Sequence, residues 1–208
     1  MINIVIKEPD VLFQSGLASL FTEFFFHENK KIDFNFNFTS ASAKAADIIV
    51  LSLCPGESFT CFPELQERKK GVVIGFIDDD LRVSVQPSCF QDIIFISRRA
   101  PVAQVRTVLN AAWRRTQQVG YRQSSVSCFE CQQQTFSPQQ IRIMAGLYKG
   151  MSVMQIANEL MISDKTVFAH KYTAMKKFNL HSDYELLLLL NKMIERNDWH
   201  KYFHGYMK

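Results

Sequence analysis

Apolar residues fall into two different rhythms along this chain. Up to about residue 97 they bunch into short runs; from residue 137 onward they recur every three or four positions. The first rhythm is that of strands and the second that of amphipathic helices. Ile2 to Ile6 is a strand closed by Lys7-Glu8-Pro9-Asp10, and Val11 to Phe26 carries Leu12, Gly16, Leu17, Leu20, Phe21 and Phe24 at helical spacing. Phe34, Phe36 and Phe38 alternate with Asn35 and Asn37, as in a half-buried strand. Asp47 to Leu53 and Val72 to Ile77 are continuous apolar runs, the pattern of strands covered on both faces of a parallel sheet. A weaker run, Asp92 to Ile96, precedes Ala100-Pro101 and a helix from Val102 to about Arg115. Five strands with intervening helices predict an α/β doubly wound domain of the flavodoxin type.

The second half starts with strong helix punctuation. Ser137 is placed as an N-cap, Pro138 at the first helical position and Gln140 to complete a capping box, with Phe136 set to staple onto Ile141. That helix runs to about Lys149 with Ile141, Met144, Ala145 and Tyr148 on one face, and Gly150 stops it. Ser152 then caps a short helix with Ile156, Ala157 and Leu160 inward. After the turn Met161-Ile162, Ser163 caps a longer one with Val167, His170, Ala174, Met175 and Phe178 on one side. Its other side carries Lys165, Thr166, Phe168, Ala169, Lys171, Tyr172 and Lys176. Two helices joined by a tight turn, the second basic on its outer face, predict a helix-turn-helix that presents side chains to base edges and phosphates. A last helix from about Ser182, with Tyr184, Leu186 to Leu190, Met193 and Ile194, is more apolar than one packing face requires and is expected to seal part of a dimer.

Charge agrees with that division. The net charge of +4 is mild, but residues 1–110 hold eleven basic and thirteen acidic side chains whereas residues 137–208 hold ten and six. The positive field therefore lies at the C-terminal end, where phosphates would be met. Between the halves, Gln117 to Thr135 is polar, rich in Gln and Ser and without period, which marks a linker. The expected organisation is an α/β domain over 1–116, a linker over 117–135 and the helix-turn-helix domain over 136–208. No run approaches the roughly 18 uninterrupted apolar residues of a membrane helix, and the start lacks signal-peptide features, so a cytoplasmic, nucleoid-associated protein is expected.

Chemistry-bearing clusters are few. The five cysteines are an odd number, which argues for reduced thiols over a disulfide framework. Cys128 and Cys131 form a CxxC inside the linker; zinc would need two more ligands, and only His200 and His204 offer a pair one helical turn apart. Incidental thiols and a redox-sensitive pair are the competing readings. No nucleophile–base pair, phosphate-cradling glycine loop or metal constellation points to an enzyme, and no cofactor is expected.

Leu12 to Phe21, Asp47 to Gly56 and Ile96 to Val105 resemble the receiver domain of two-component response regulators. That resemblance implies a pair of magnesium-holding acids after the first strand and an acceptor aspartate ending the third. It also implies a hydroxyl residue after the fourth strand and a lysine after the fifth. The pair falls on Glu8 and Pro9, the acceptor on Ser52, the hydroxyl near Ile77 or Asp78, and the lysine on Ser97 or Arg98. In-line phosphoryl transfer needs a carboxylate nucleophile and cations to absorb charge. The expectation is a receiver fold without receiver chemistry.

Phe136 to about Met193 resembles the LuxR-type helix-turn-helix, also called the NarL or FixJ output domain, through SPQQIRIM, KGMSVMQIANELMIS, KTVFAHK and MKKFNL in the family's order. Within that family it is similar to the Rcs capsule-synthesis group, in which RcsA and BglJ have degenerate receivers and act as partners of RcsB. The resemblance implies a transcription regulator on double-stranded DNA, as a homodimer or with an RcsB-like partner. It places Lys165 and Thr166 near phosphate, with His170 supporting the helix. Phe168 stands where a basic residue is often found. Base reading then falls to Ala169, Lys171 and Tyr172, with Lys176 and Lys177 toward the backbone. Trp113, Arg114 and Arg115 partly match a motif with which some receiver-containing regulators of biofilm genes bind cyclic di-GMP, so a ligand-gated regulator stays open, as does an adaptor that tunes a partner with little DNA reading of its own.

Overall fold

The two continuous apolar runs become the central strands of a five-stranded parallel sheet. The computed structural model describes residues 1–26, 30–68, 71–78, 87–118 and 133–196. The chain divides into two compact units, Met1–Leu53 with Cys61–Gln132 and Cys54–Thr60 with Gln133–Lys208, and each is taken by itself. In the first, β1 (Ile2–Lys7), β2 (Ile32–Asn35), β3 (Ile48–Ser52), β4 (Val72–Ile77) and β5 (Ile94–Ser97) lie in the order β2-β1-β3-β4-β5. β3 and β4 are buried at every position because alternate residues serve two cores. Ile48, Val50, Ile74 and Phe76 pack under α1 (Val11–Phe25) and α3 (Val102–Thr116). Ile49, Leu51, Val73 and Ile77 join Ala43 of α2 (Ser40–Ala45), Phe62 and Phe90 on the opposite face. The sheet order reverses at β1 and β3, and in open α/β sheets the C-terminal ends of the strands at that point form the functional edge.

Three expectations are corrected here. Leu12 is 84% exposed, because the inward stripe of α1 is Leu17, Phe21 and Phe25, and Leu12 lies about 180° round the helix from Phe21. β2 stops at Asn35, whose side chain accepts from the Asn37 amide at 2.8 Å in an Asx turn; Phe36 is therefore half exposed and outside the strand. Among the described residues, the crossovers around β4 are also less helical than a doubly wound pattern suggests. Among the described residues they contain only the 3₁₀ turns Glu57–Phe59, Pro63–Glu67 and Ser88–Phe90, the second starting on Pro63 and the third capped by Pro87.

In the second unit, α4 (Pro138–Tyr148), α5 (Val153–Leu160), α6 (Asp164–Lys177) and α7 (Asp183–Glu195) share one core, with Ile143, Met144, Ile156, Val167, Ala174, Phe178, Leu189 and Leu190 all but sealed from water. Both predicted caps of α4 and α5 form as capping boxes, Ser137 with Gln140 and Ser152 with Gln155. Gly150 ends α4 with φ +76°, a left-handed position that suits glycine. α5 ends on Met161, also left-handed at φ 53° and 94% exposed, which turns the chain sharply into Ser163 at the head of α6. Among the described residues no helix is long and apolar enough to cross a membrane.

Candidate functional site

At the functional edge of the sheet, three of the degenerate positions meet. The Glu8 side chain, just past β1, is fully buried. Its Oε2 accepts from the Ser52 hydroxyl at the end of β3 and from Arg98 Nη1 at 2.7 Å; its Oε1 accepts from the Asp10 amide at 2.8 Å. Arg98 directly follows β5. Its guanidinium carbon stands 4.2 Å from the centre of the Phe13 ring, and Nε lies 3.8 Å from an Asp78 carboxylate oxygen. Buried carboxylates need a partner charge and filled lone pairs, and Glu8 has both. A divalent cation does not fit this arrangement. Pro9 supplies no side-chain oxygen, Ser52 no carboxylate, and Glu8, the acid left of the expected pair, is neutralised by a guanidinium. Asp10 is used to cap α1, accepting from Leu12 N at 2.9 Å and Phe13 N at 3.1 Å.

Trp113 is half buried on α3, edge-on to Phe25 with ring centres 5.0 Å apart, and Lys30 Nζ lies 5.6 Å from its ring centre. Arg114 and Arg115 beside it are exposed. The Trp is thus tied into the core of its own unit. Cys128, Cys131, His200 and His204 lie outside the described residues.

The outer surface of α6 is the second site. Ser163 accepts from the Thr166 amide at 3.1 Å, and the two hydroxyls are 2.9 Å apart, so Thr166 belongs partly to the cap. Val167, Ala174 and Phe178 turn inward, and His170 is half buried beside them. Lys165, Phe168, Ala169, Tyr172 and Lys176 are exposed. Two of the lysines expected at DNA have partners within the unit. Lys171 is not at large on the outer face: its side chain is 15% exposed and its ammonium meets Asp183 of α7 at 2.6 Å. Lys177 donates to the Thr135 carbonyl at 3.1 Å and to Gln140 Oε1 at 3.3 Å, fastening α6 to the start of α4. Both lysines sit at helix positions nearer the core than the outer stripe, and each finds an oxygen on a neighbouring element. Sequence reading missed Asp183 because the pairing crosses from one helix to the next, where periodicity carries no signal.

The geometry defines a class first: a receiver-like five-stranded parallel sheet, and a four-helix unit that presents a capped, partly basic helix. Residues 134–190 match the model of the bacterial regulatory proteins of the luxR family, and this segment is a LuxR-family helix-turn-helix domain. No curated protein sequence matches the chain. Among solved structures, the two-component response regulator RcsB in complex with DNA aligns with a TM-score of 0.52 at 18% identity, covering 91% of this chain and 98% of that one. A structure of two RcsB dimers on two parallel DNAs gives 0.51 at 17%, again over 91% and 98%. At such identities the likeness concerns the fold, a receiver-like domain with a LuxR-type domain.

Proposed function

We propose that this chain is a DNA-binding transcription regulator that works without aspartyl phosphorylation, as a homodimer or with an RcsB-like partner, on the nucleoid in the cytoplasm. In this reading residues 1–116 are the pseudo-receiver, 117–135 the linker and 136–208 the DNA-binding domain. The observation that carries it is the closed set of Glu8, Ser52 and Arg98: a hydroxyl stands where an acceptor carboxylate is needed, and the remaining acid is held by an arginine. The exposed cations Lys165 and Lys176 on α6 support phosphate contact. Pairing is supported by α7, where Tyr184 is 69% and Leu187 41% exposed at positions three apart on one face.

The test is a gel shift with the full chain, alone and mixed with a candidate partner, before and after acetyl phosphate with magnesium, followed by intact-mass measurement. The reading expects a shift unchanged by acetyl phosphate and no added phosphate mass. Stoichiometric aspartyl phosphate that alters binding would refute it. A shift by the chain alone favours the homodimer and a shift only in the mixture the heterodimer. A partner footprint altered with no direct contact to DNA favours an adaptor.

A further inference from the structure

We infer that α6 reads its target mainly through thymine methyl groups, contacted by Phe168, Ala169 and Tyr172. This rests on the DNA-binding reading above. Residues 165, 169, 172 and 176 are spaced four, three and four apart, and so form one stripe opposite the buried Val167, Ala174 and Phe178. Lys165 and Lys176 end that stripe, and Ala169 and Tyr172 form its middle. Phe168 borders the middle, one turn before Tyr172, and the two rings are 55% and 69% exposed. The cation nearest by sequence, Lys171, is withdrawn to Asp183.

The chemistry of the stripe then limits what it can recognise. Guanine is read by a paired donor from Arg or Lys onto O6 and N7, and adenine by the amide of Asn or Gln; positions 168, 169 and 172 hold none of these. The apolar group a base pair displays in the major groove is the thymine C5-methyl, which Ala and Phe side chains contact. One helical turn of four residues rises about 6 Å, against about 3.4 Å per base step. Phe168 and Tyr172 therefore match methyl groups on neighbouring or next-neighbouring base pairs. The flanking Lys165 and Lys176 are left to fix the helix on phosphates.

The experiment selects target duplexes from a random library with the full-length protein. Each selected thymine is then replaced by deoxyuracil, which deletes only the methyl group, and affinity is measured by fluorescence anisotropy. The inference expects at least two positions per half-site where the replacement weakens binding about fivefold to tenfold, the low end of the usual cost of losing a base contact. Phe168→Ala should cancel the penalty at one of them and Tyr172→Ala at the other. Both residues are exposed, and far-UV circular dichroism checks that each variant is folded. The deoxyuracil arm needs no variant at all. Tight, sequence-selective binding that ignores every thymine-to-uracil replacement overturns the inference and leaves the DNA-binding reading standing. Absence of binding to any duplex, by the chain alone and mixed with the candidate partner, overturns both.

Discussion

Replacing Arg98 with Met tests the closed receiver site most directly, since Met keeps much of the volume and removes the charge. Glu8 would remain fully buried with the Ser52 hydroxyl and the Asp10 amide but without its cation. Breaking a buried pair typically costs about 3–5 kcal/mol. Arg98 is 22% exposed, so solvent screening moves the value to the lower end. Loss of its stack on Phe13 adds roughly 0.5 kcal/mol. The expected destabilisation is about 3 kcal/mol. With a urea slope of about 1.5 kcal/mol per molar, the midpoint falls by about 2 M. Glu8→Gln should cost about 2 kcal/mol, because donors approach both oxygens and an amide can offer only one acceptor. The double variant should recover at least about 1.5 kcal/mol relative to the sum, the coupling of two residues in one network. Trp113 lies against Phe25 in the same unit, so its fluorescence in a Trp199→Phe background follows this unfolding in the full chain. A loss below about 1 kcal/mol in Arg98→Met, or additivity within about 0.5 kcal/mol, would show that the pair is solvent-screened and does not close the site.

Other changes have comparably definite outcomes. Lys171→Ala should leave base preference untouched and lower stability by about 0.5 kcal/mol, matched by Asp183→Ala, since the bridge is half open to water; loss of site preference in a selection assay would make Lys171 a base reader. Ser163→Ala removes the acceptor of the Thr166 amide and should destabilise the helix-turn-helix by about 1 kcal/mol in thermal unfolding; an unchanged melting point would mean that water or another group replaces the cap. Gly16→Ala should stabilise the sheet unit by about 0.5–1 kcal/mol, because the position is mid-helix and nothing lies within 4 Å of an added Cβ. It borders a groove of about 470 Å³, and destabilisation on urea titration would show that the groove must stay open.

What the sequence reveals about this molecule depends on how local each determinant is. The strands Ile48–Ser52 and Val72–Ile77 are legible because burial on both faces leaves no polar position to break the run, and the helix starts at Ser137, Ser152 and Ser163 because a cap needs only three or four consecutive residues. The crossovers of the sheet are harder to read. Their prolines are visible, but whether the chain between them closes 3₁₀ turns or α-helices depends on the space the sheet leaves. The sites follow the same rule. Phe168 and Tyr172 can be put on the outer side of a helix by counting, whereas the loss of Lys171 to Asp183 depends on how α6 and α7 pack.

The degenerate receiver positions combine both cases. Taken singly, Ser52 and Arg98 read as losses, an acceptor without its carboxylate and a lysine replaced. Brought together at the ends of β3 and β5, they are donors that satisfy Glu8, the acid left of the expected pair. Had the site merely decayed, a buried, unpaired Glu8 would be a liability that any apolar replacement relieves. A carboxylate buried with a hydroxyl, an amide and a guanidinium on its two oxygens instead holds β1, β3 and the end of β5 in one fixed relation. Under the proposed reading these contacts tie the ends of three strands to one another, and the double-variant cycle on Glu8 and Arg98 measures how firmly.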